Sequence, residues 1–237
     1  MPPSRDLSAS TALVTGANRG LGRHLAAELV RRGATVYAAA RNPGSIDLEG
    51  VVPVRLDVTD PASGAAAAAA APDVDLLINN AGSSTGADLL TSPLEDLRLE
   101  LETHYLGSLQ VTRAFLPSLV ERRGAVANVL SVLSWVSAPP AGAYAAAKAA
   151  AWSMTSGIRV QLAAQGVTVT SLHVGYMDTE MAARAPGPKS DPADVARALL
   201  DAVAAGAHEV LFDEISRQVQ KGLAGGVSAL YPQLAER

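Results

Sequence analysis

Tyr144 and Lys148 place a phenol and an ammonium four residues apart, with three alanines between them. On a helix these positions share one face, close enough for the cation to act on the hydroxyl. A free phenol keeps its proton to a pH of about 10, and a neighbouring positive charge favours the phenolate and draws that value down. A tyrosine tuned in this way can exchange a proton with a carbonyl oxygen while a hydride reaches the adjoining carbon. Ser131 stands thirteen residues upstream, at the end of the apolar run AVANVLS. If that run is a parallel strand, its C-terminal end opens on a ligand crevice and the hydroxyl can donate to the same oxygen.

Hydride chemistry needs a carrier, and residues 15–22, TGANRGLG, have the composition of a loop that binds one. Gly16, Gly20 and Gly22 let the chain turn tightly and let backbone N–H groups approach a pyrophosphate, whose charge a following helix N-terminus favours. Asn18, Arg19 and Leu21 complete the loop. Glycines here could serve turn geometry alone, so the context of a strand before and a helix after carries the reading. Where an NAD-binding fold commonly has an acidic residue on the ribose hydroxyl, this chain reads Ala38-Ala39-Ala40-Arg41. Arg41 and Arg19 are permanently charged donors suited to a 2′-phosphate, so the expected cofactor is NADP(H).

The elements that must position these groups alternate. Short runs such as TALVTG, ATVYAAA, VVPVRLDV, DLLINNAG, AVANVLSV and VTVTSLHVG are separated by alanine-rich amphipathic stretches, the first from about Gly22 to Arg32. Strand and helix in alternation predict right-handed crossovers and a doubly wound α/β fold, a parallel sheet with helices on both faces. Residues 1–237 show no internal composition break, so a single domain is expected. The formal net charge of −4 gives no sequence-wide basic surface for nucleic acid or an anionic membrane. Zero cysteines exclude disulfides and thiolate chemistry, and the four histidines form no ligand pair at zinc spacing. No apolar run is long enough to span a bilayer, and a cytoplasmic location is expected.

TGANRGLG, then Asn79-Asn80-Ala81-Gly82, then Ser131 with YAAAK, in this order and at these separations, resemble the short-chain dehydrogenase/reductase family in its single-domain form. The likeness runs from about Thr11 to Phe212. It implies that Tyr144 is the catalytic acid/base, that Lys148 lowers its pKa and binds the nicotinamide ribose, and that Ser131 orients the substrate carbonyl. It further implies an adenine contact at Asp57 with Val58 beside it, a segment at Asn79, Ala81 and Gly82 that stabilises the central sheet and lies along the cofactor, and residues around the nicotinamide at Gly175, Met177 and Thr179. A homodimer or homotetramer is also implied, through helices around His104 to Leu119 and Ala145 to Ala163.

Two positions depart from that family's pattern. His104 stands where the family has an asparagine that holds a water of the proton relay. It is either a functional substitute that titrates near neutrality or a hydrogen-bonded core histidine. Val174-Gly175 replaces Pro-Gly, which frees φ at Val174. Tyr176 to Asp191 is irregular and rich in small residues, as a lid over substrate would be. Met177, Met181, Trp135, Val136 and Pro139 suggest an apolar pocket, hence reduction of an apolar ketone or aldehyde to its alcohol, with the reverse oxidation open. The alternative is a regulatory protein that binds NADPH without catalysis. The glycine-rich stretch after Ser216 has no assigned role.

Overall fold

Residues 4–139 and 141–234 are described by the computed structural model; Pro140, one half of the Pro139-Pro140 breaker, and three residues at each end lie outside it. The β-branched and leucine runs become strands, and those at the centre of the sheet are buried on both faces, which a period-two pattern would not allow, while the runs at its two edges stay largely exposed or half-buried. They are β1 (Thr11–Thr15), β2 (Thr35–Ala40), β3 (Val52–Arg55), β4 (Leu76–Asn79), β5 (Ala125–Val129), β6 (Thr168–His173) and β7 (Glu209–Leu211), all paired in parallel in the order β3-β2-β1-β4-β5-β6-β7. The order reverses direction between β1 and β4, the place where doubly wound sheets open a ligand crevice.

Helices cover both faces. On one, α1 (Gly20–Arg31) and α6 (Pro192–Ala204) pack Leu25, Leu29, Leu199 and Leu200 onto Val14, Ile78 and Leu172. On the other, α2 (Pro61–Ala70), α4 (Ser108–Glu121) and α5 (Gly142–Ala163) bring Ala67, Phe115, Leu119, Ile158 and Leu162 against Leu13, Leu77 and Val126. The alanine run that opens at Ala65 is thus a sheet-covering helix, capped by the Asp60 carboxylate on the Ala62 N–H. Leu162 belongs to this core, while Trp152 is partly exposed.

Between α3 (Leu94–Leu101) and α4 the chain widens into a π-helical turn, Glu102–Gly107. Such turns rotate side chains out of the ordinary α-helical register. Here the turn buries Thr103 and His104 toward the sheet. The irregular stretch after β6 is held at both ends, because Asp178 N–H donates to Ser190 O and Ser190 N–H to Tyr176 O. The chain then continues past β7 into α7 (Glu214–Gly222) and α8 (Gly226–Leu230). Asp213 caps α7 and also accepts from Gly175 N–H at 2.6 Å, and Tyr231 Oη accepts from Ser137 N–H at 2.7 Å. The stretch after Ser216 therefore reaches back through Tyr231 to the loop that follows β5, while Asp213 just before it holds the loop that follows β6. Among the described residues, no helix is long and apolar enough to cross a membrane, and no three His, Asp or Glu side chains gather to hold a metal.

Candidate active site

A cavity of about 610 Å³ opens along the C-terminal ends of the strands. Its floor is the loop between β1 and α1. Gly16 has φ +65°, and a Cβ at Gly22 would sit 2.2 Å from Gly16 O, so this turn tolerates no side chain at either place. Arg19, at the head of α1, makes no side-chain cap bond, which leaves the first-turn N–H groups available to an anion. The first turn begins at Gly20, two residues before the expected Gly22. Gly16, Asn18, Arg19, Gly20 and Leu21 line the cavity; Gly22 lies behind them, where its hydrogen lets the helix close on the strand.

Arg41 and Asn42 line the far end with Asp57, Val58 and Thr59. Asp57 accepts from the Thr59 N–H and hydroxyl, and those bonds, with Arg41 nearby, hold its carboxyl below the usual range. Arg19 is committed elsewhere: its guanidinium pairs with Glu180 at 2.5 Å, and both side chains are exposed. Ala81 and Gly82 line the cavity, but Asn79 does not. Asn79 is the last residue of β4 and its side chain points into the interior, donating to Thr112 Oγ1 at 3.0 Å and Asn128 Oδ1 at 2.8 Å. It joins β4 to β5 and α4, and the adjoining Asn80 is the asparagine that reaches the cleft.

Ser131, Tyr144 and Lys148 meet on the opposite wall, together with His104. Ser131 caps the short turn Val132–Ser134: its hydroxyl accepts from Leu133 N–H, and Ser134 Oγ accepts from Ser131 N–H. Behind it lies His173, stacked on Trp135 with ring centroids 3.9 Å apart and its Nδ1 3.3 Å from Ser131 O. Burial pushes the His173 ring down to about 4, so it supports Ser131 as a neutral group.

Lys148 is 5% exposed; its ammonium donates to Val129 O at 2.8 Å and lies 5.5 Å from the Tyr144 ring centroid. Burial lowers its pKa to about 8. Tyr144 departs from the expectation of a lowered pKa. Burial pushes its phenol above the ordinary value, the Ser131 hydroxyl pulls the other way, and the nearby Glu100 carboxylate adds to the rise. The physical reason is that desolvation of the buried phenol outweighs the lowering, while the Lys148 ammonium is hydrogen-bonded to Val129 O.

Thr179, Gly175 and Met177 close the cavity on the side of the irregular stretch after β6, along with Glu180 and Met181. Leu56, Ser83, Leu99 and Thr103 also line it and carried no sequence signal. Only the spacing of Thr103 and His104 around an unexpected π turn would have placed Thr103 there. The groups present fit a dinucleotide: a loop with no room for a side chain at Gly16 or Gly22, an uncapped helix start, a carboxylate and arginine at one end, and an ammonium and phenol at the other.

A sheet that reverses beside a glycine loop, with serine, tyrosine and lysine at its strand ends, defines a nucleotide-dependent oxidoreductase of the Rossmann type. Residues 10–189 match the family model for short chain dehydrogenases, and the chain belongs to that family. It is 32% identical to a serine 3-dehydrogenase of Rhizobium radiobacter over 78% of each chain, and 35% identical to an uncharacterized oxidoreductase of Myxococcus xanthus over 75% of this chain and 76% of that one. A short chain dehydrogenase from Burkholderia cenocepacia, solved in complex with NADP, superposes with a TM-score of 0.92 at 40% identity, covering 97% of this chain and 99% of the other.

Proposed function

We propose that this protein is an NADPH-dependent reductase of an apolar ketone or aldehyde, able to run in reverse. The observation that carries the reading is the convergence of Ser131, Tyr144 and Lys148 on one wall of the cavity whose floor is the glycine loop. The reduced nicotinamide, when bound, supplies the hydride. Tyr144 Oη gives its proton to the carbonyl oxygen, Ser131 Oγ donates to that oxygen and orients it, and Lys148 Nζ restores the proton to the phenolate. The ammonium lies 5.5 Å from the Tyr144 ring centroid, and displacement of its bond to Val129 O toward the ribose and Tyr144 would favour phenolate.

NADPH rather than NADH follows from Arg41 at the cavity's far end and the absence of an acidic residue at the end of β2. The NADP held by the Burkholderia relative supports the same preference. An apolar substrate follows from Leu99, Met177 and Met181 in the wall. Residues 176–191 act as the lid in this reading, with the Arg19–Glu180 pair joining it to the glycine loop. The protein works in the cytoplasm as a homodimer or homotetramer.

A second reading keeps the fold and binds NADPH without catalysis; the raised Tyr144 phenol favours it. Incubation with NADPH and a panel of hydrophobic carbonyls, followed at the nicotinamide absorbance, separates the two. Turnover with a lower KM for NADPH than for NADH is expected. Tight NADPH binding with no oxidation across the panel would establish the second reading instead.

A further inference from the structure

Glu100 is a carboxylate that the reading above does not use, yet it is 0% exposed. It sits near the end of α3, whose other faces are open: Leu94, Leu99 and Leu101 are all exposed. A buried carboxylate is tolerated only when its oxygens are occupied. One oxygen accepts from Thr85 N–H at 2.5 Å; the other accepts from Ser83 Oγ at 3.1 Å and lies 3.2 Å from His104 Nε2. The same Nε2 is 2.9 Å from Ser83 O.

Two acceptors at 2.9 and 3.2 Å outweigh the longer contact from Ser83 N–H at 3.4 Å and place the ring proton on Nε2, which leaves Nδ1 with the lone pair. That Nδ1 is buried and has no hydrogen-bond partner among the described residues. The ring packs on Gly82, where a Cβ would come within 2.8 Å of Cε1, and meets the Tyr144 ring edge-on at 5.0 Å. Glu100 from α3 and Tyr144 and Lys148 from α5 are the titratable groups that face it; the loop after β4 contributes the uncharged Gly82 and Ser83.

We propose that Glu100 is a positioning residue that fixes His104 in the Nε2–H form, so that Nδ1 serves as the acceptor through which solvent protons return to Lys148. The proposal rests on the reductase reading. During carbonyl reduction Tyr144 Oη loses its proton to the product oxygen and regains one from Lys148 Nζ, which becomes a neutral amine. Burial and the Lys148 charge hold the His104 ring below its ordinary pKa and the Glu100 carboxylate opposes them, so the imidazolium formed when Nδ1 binds one proton from water in the cleft is transient and passes that proton by way of water to Nζ. The dyad ends each turnover as it began, and no electrons move through it.

Glu100→Gln, made in the parent and in His104→Asn, tests this. In the parent, kcat falls about tenfold or more and the pH–rate profile shifts, because the imidazolium loses its counter-charge. In the His104→Asn background the same change has little effect, since there is no imidazole to hold. An equal loss in both backgrounds, or none in the parent, overturns the proposal and leaves Glu100 as an anchor for residues 83–85. Independently of turnover, ¹⁵N NMR of His104 in the parent protein shows Nε2 protonated and Nδ1 bare; a protonated Nδ1 at neutral pH with Nε2 bare also overturns it. Should the carbonyl panel fail, the reductase reading falls while the NMR measurement still decides the tautomer.

Discussion

The two ends of the cleft solve opposite problems. At the end formed by Arg19, Arg41 and Asp57, the charged groups are exposed or half-exposed and the close fit is made by backbone, in a loop that has no room for a side chain at Gly16 or Gly22. At the end formed by Glu100, His104, Tyr144 and Lys148, backbone recedes and titratable side chains are packed among themselves, with Glu100, His104 and Lys148 buried. A ligand that brings its own charge needs donors and a screened field, and exposed ions supply these at small individual worth. A proton that must move needs groups whose acidity differs from that in water, and only burial produces shifts of that size. The comparison teaches that this chain's binding end responds mainly to salt and its proton end mainly to pH.

Three measurements would break or sharpen that contrast. The largest effect is expected for Tyr144→Phe, which removes the proposed proton donor while keeping the ring that packs on His104. Its kcat should drop by about 10²–10⁴-fold with NADPH affinity nearly unchanged by fluorescence titration. A matching loss of affinity would show that the two ends are not separable.

Next is the basic limb of turnover. Lys148 has its pKa lowered by burial from 10.5 to about 8, so it is an ammonium below that pH and a neutral amine above it. The rate should fall about tenfold per pH unit well above pH 8, as the cation that serves the phenol is lost. The stability sign is opposite. The fold binds fewer protons than the unfolded chain between pH 8 and 10.5, so this residue adds stability as pH rises through that window. Thermal melts and rates taken on one pH series should therefore diverge; parallel decline of both would mean that alkaline unfolding sets the limb.

The smallest effect belongs to Arg41→Ala. An exposed cation contributing a charge-assisted bond is worth about 1 kcal/mol, which is about a fivefold weakening of NADPH binding. NADH binding should not change, and the difference should shrink as salt is raised. Isothermal titration at two ionic strengths reads this directly. Equal weakening for both nucleotides would remove the reason to assign Arg41 to a 2′-phosphate.

Much of this arrangement was legible in residue order. The glycine loop, the run of strands and helices, Ser131 and the YAAAK helix all express local rules: turn freedom, hydrophobic period and i,i+4 spacing. Asn79 keeps the sheet-stabilising half of its expected role by tying strands together, while the cleft is reached by its neighbour Asn80. A strand's last residue points to one face or the other according to register, which the NNAG motif does not state. Glu100 carries no signal of its own in LEDLRLELETH, because nothing local distinguishes a carboxylate that a distant loop will cover.

The chain's own order determined which chemistry was available, because a phenol, an amine, a hydroxyl and a phosphate-binding turn depend on residue identity and short spacing alone. Tertiary structure decided how acidic those groups are. Burial of Tyr144 and Lys148, the bond from Lys148 to Val129 O and the closure of residues 83–85 over Glu100 all come from elements far apart in sequence. Desolvation is a property of everything packed around a group, so no motif can carry it.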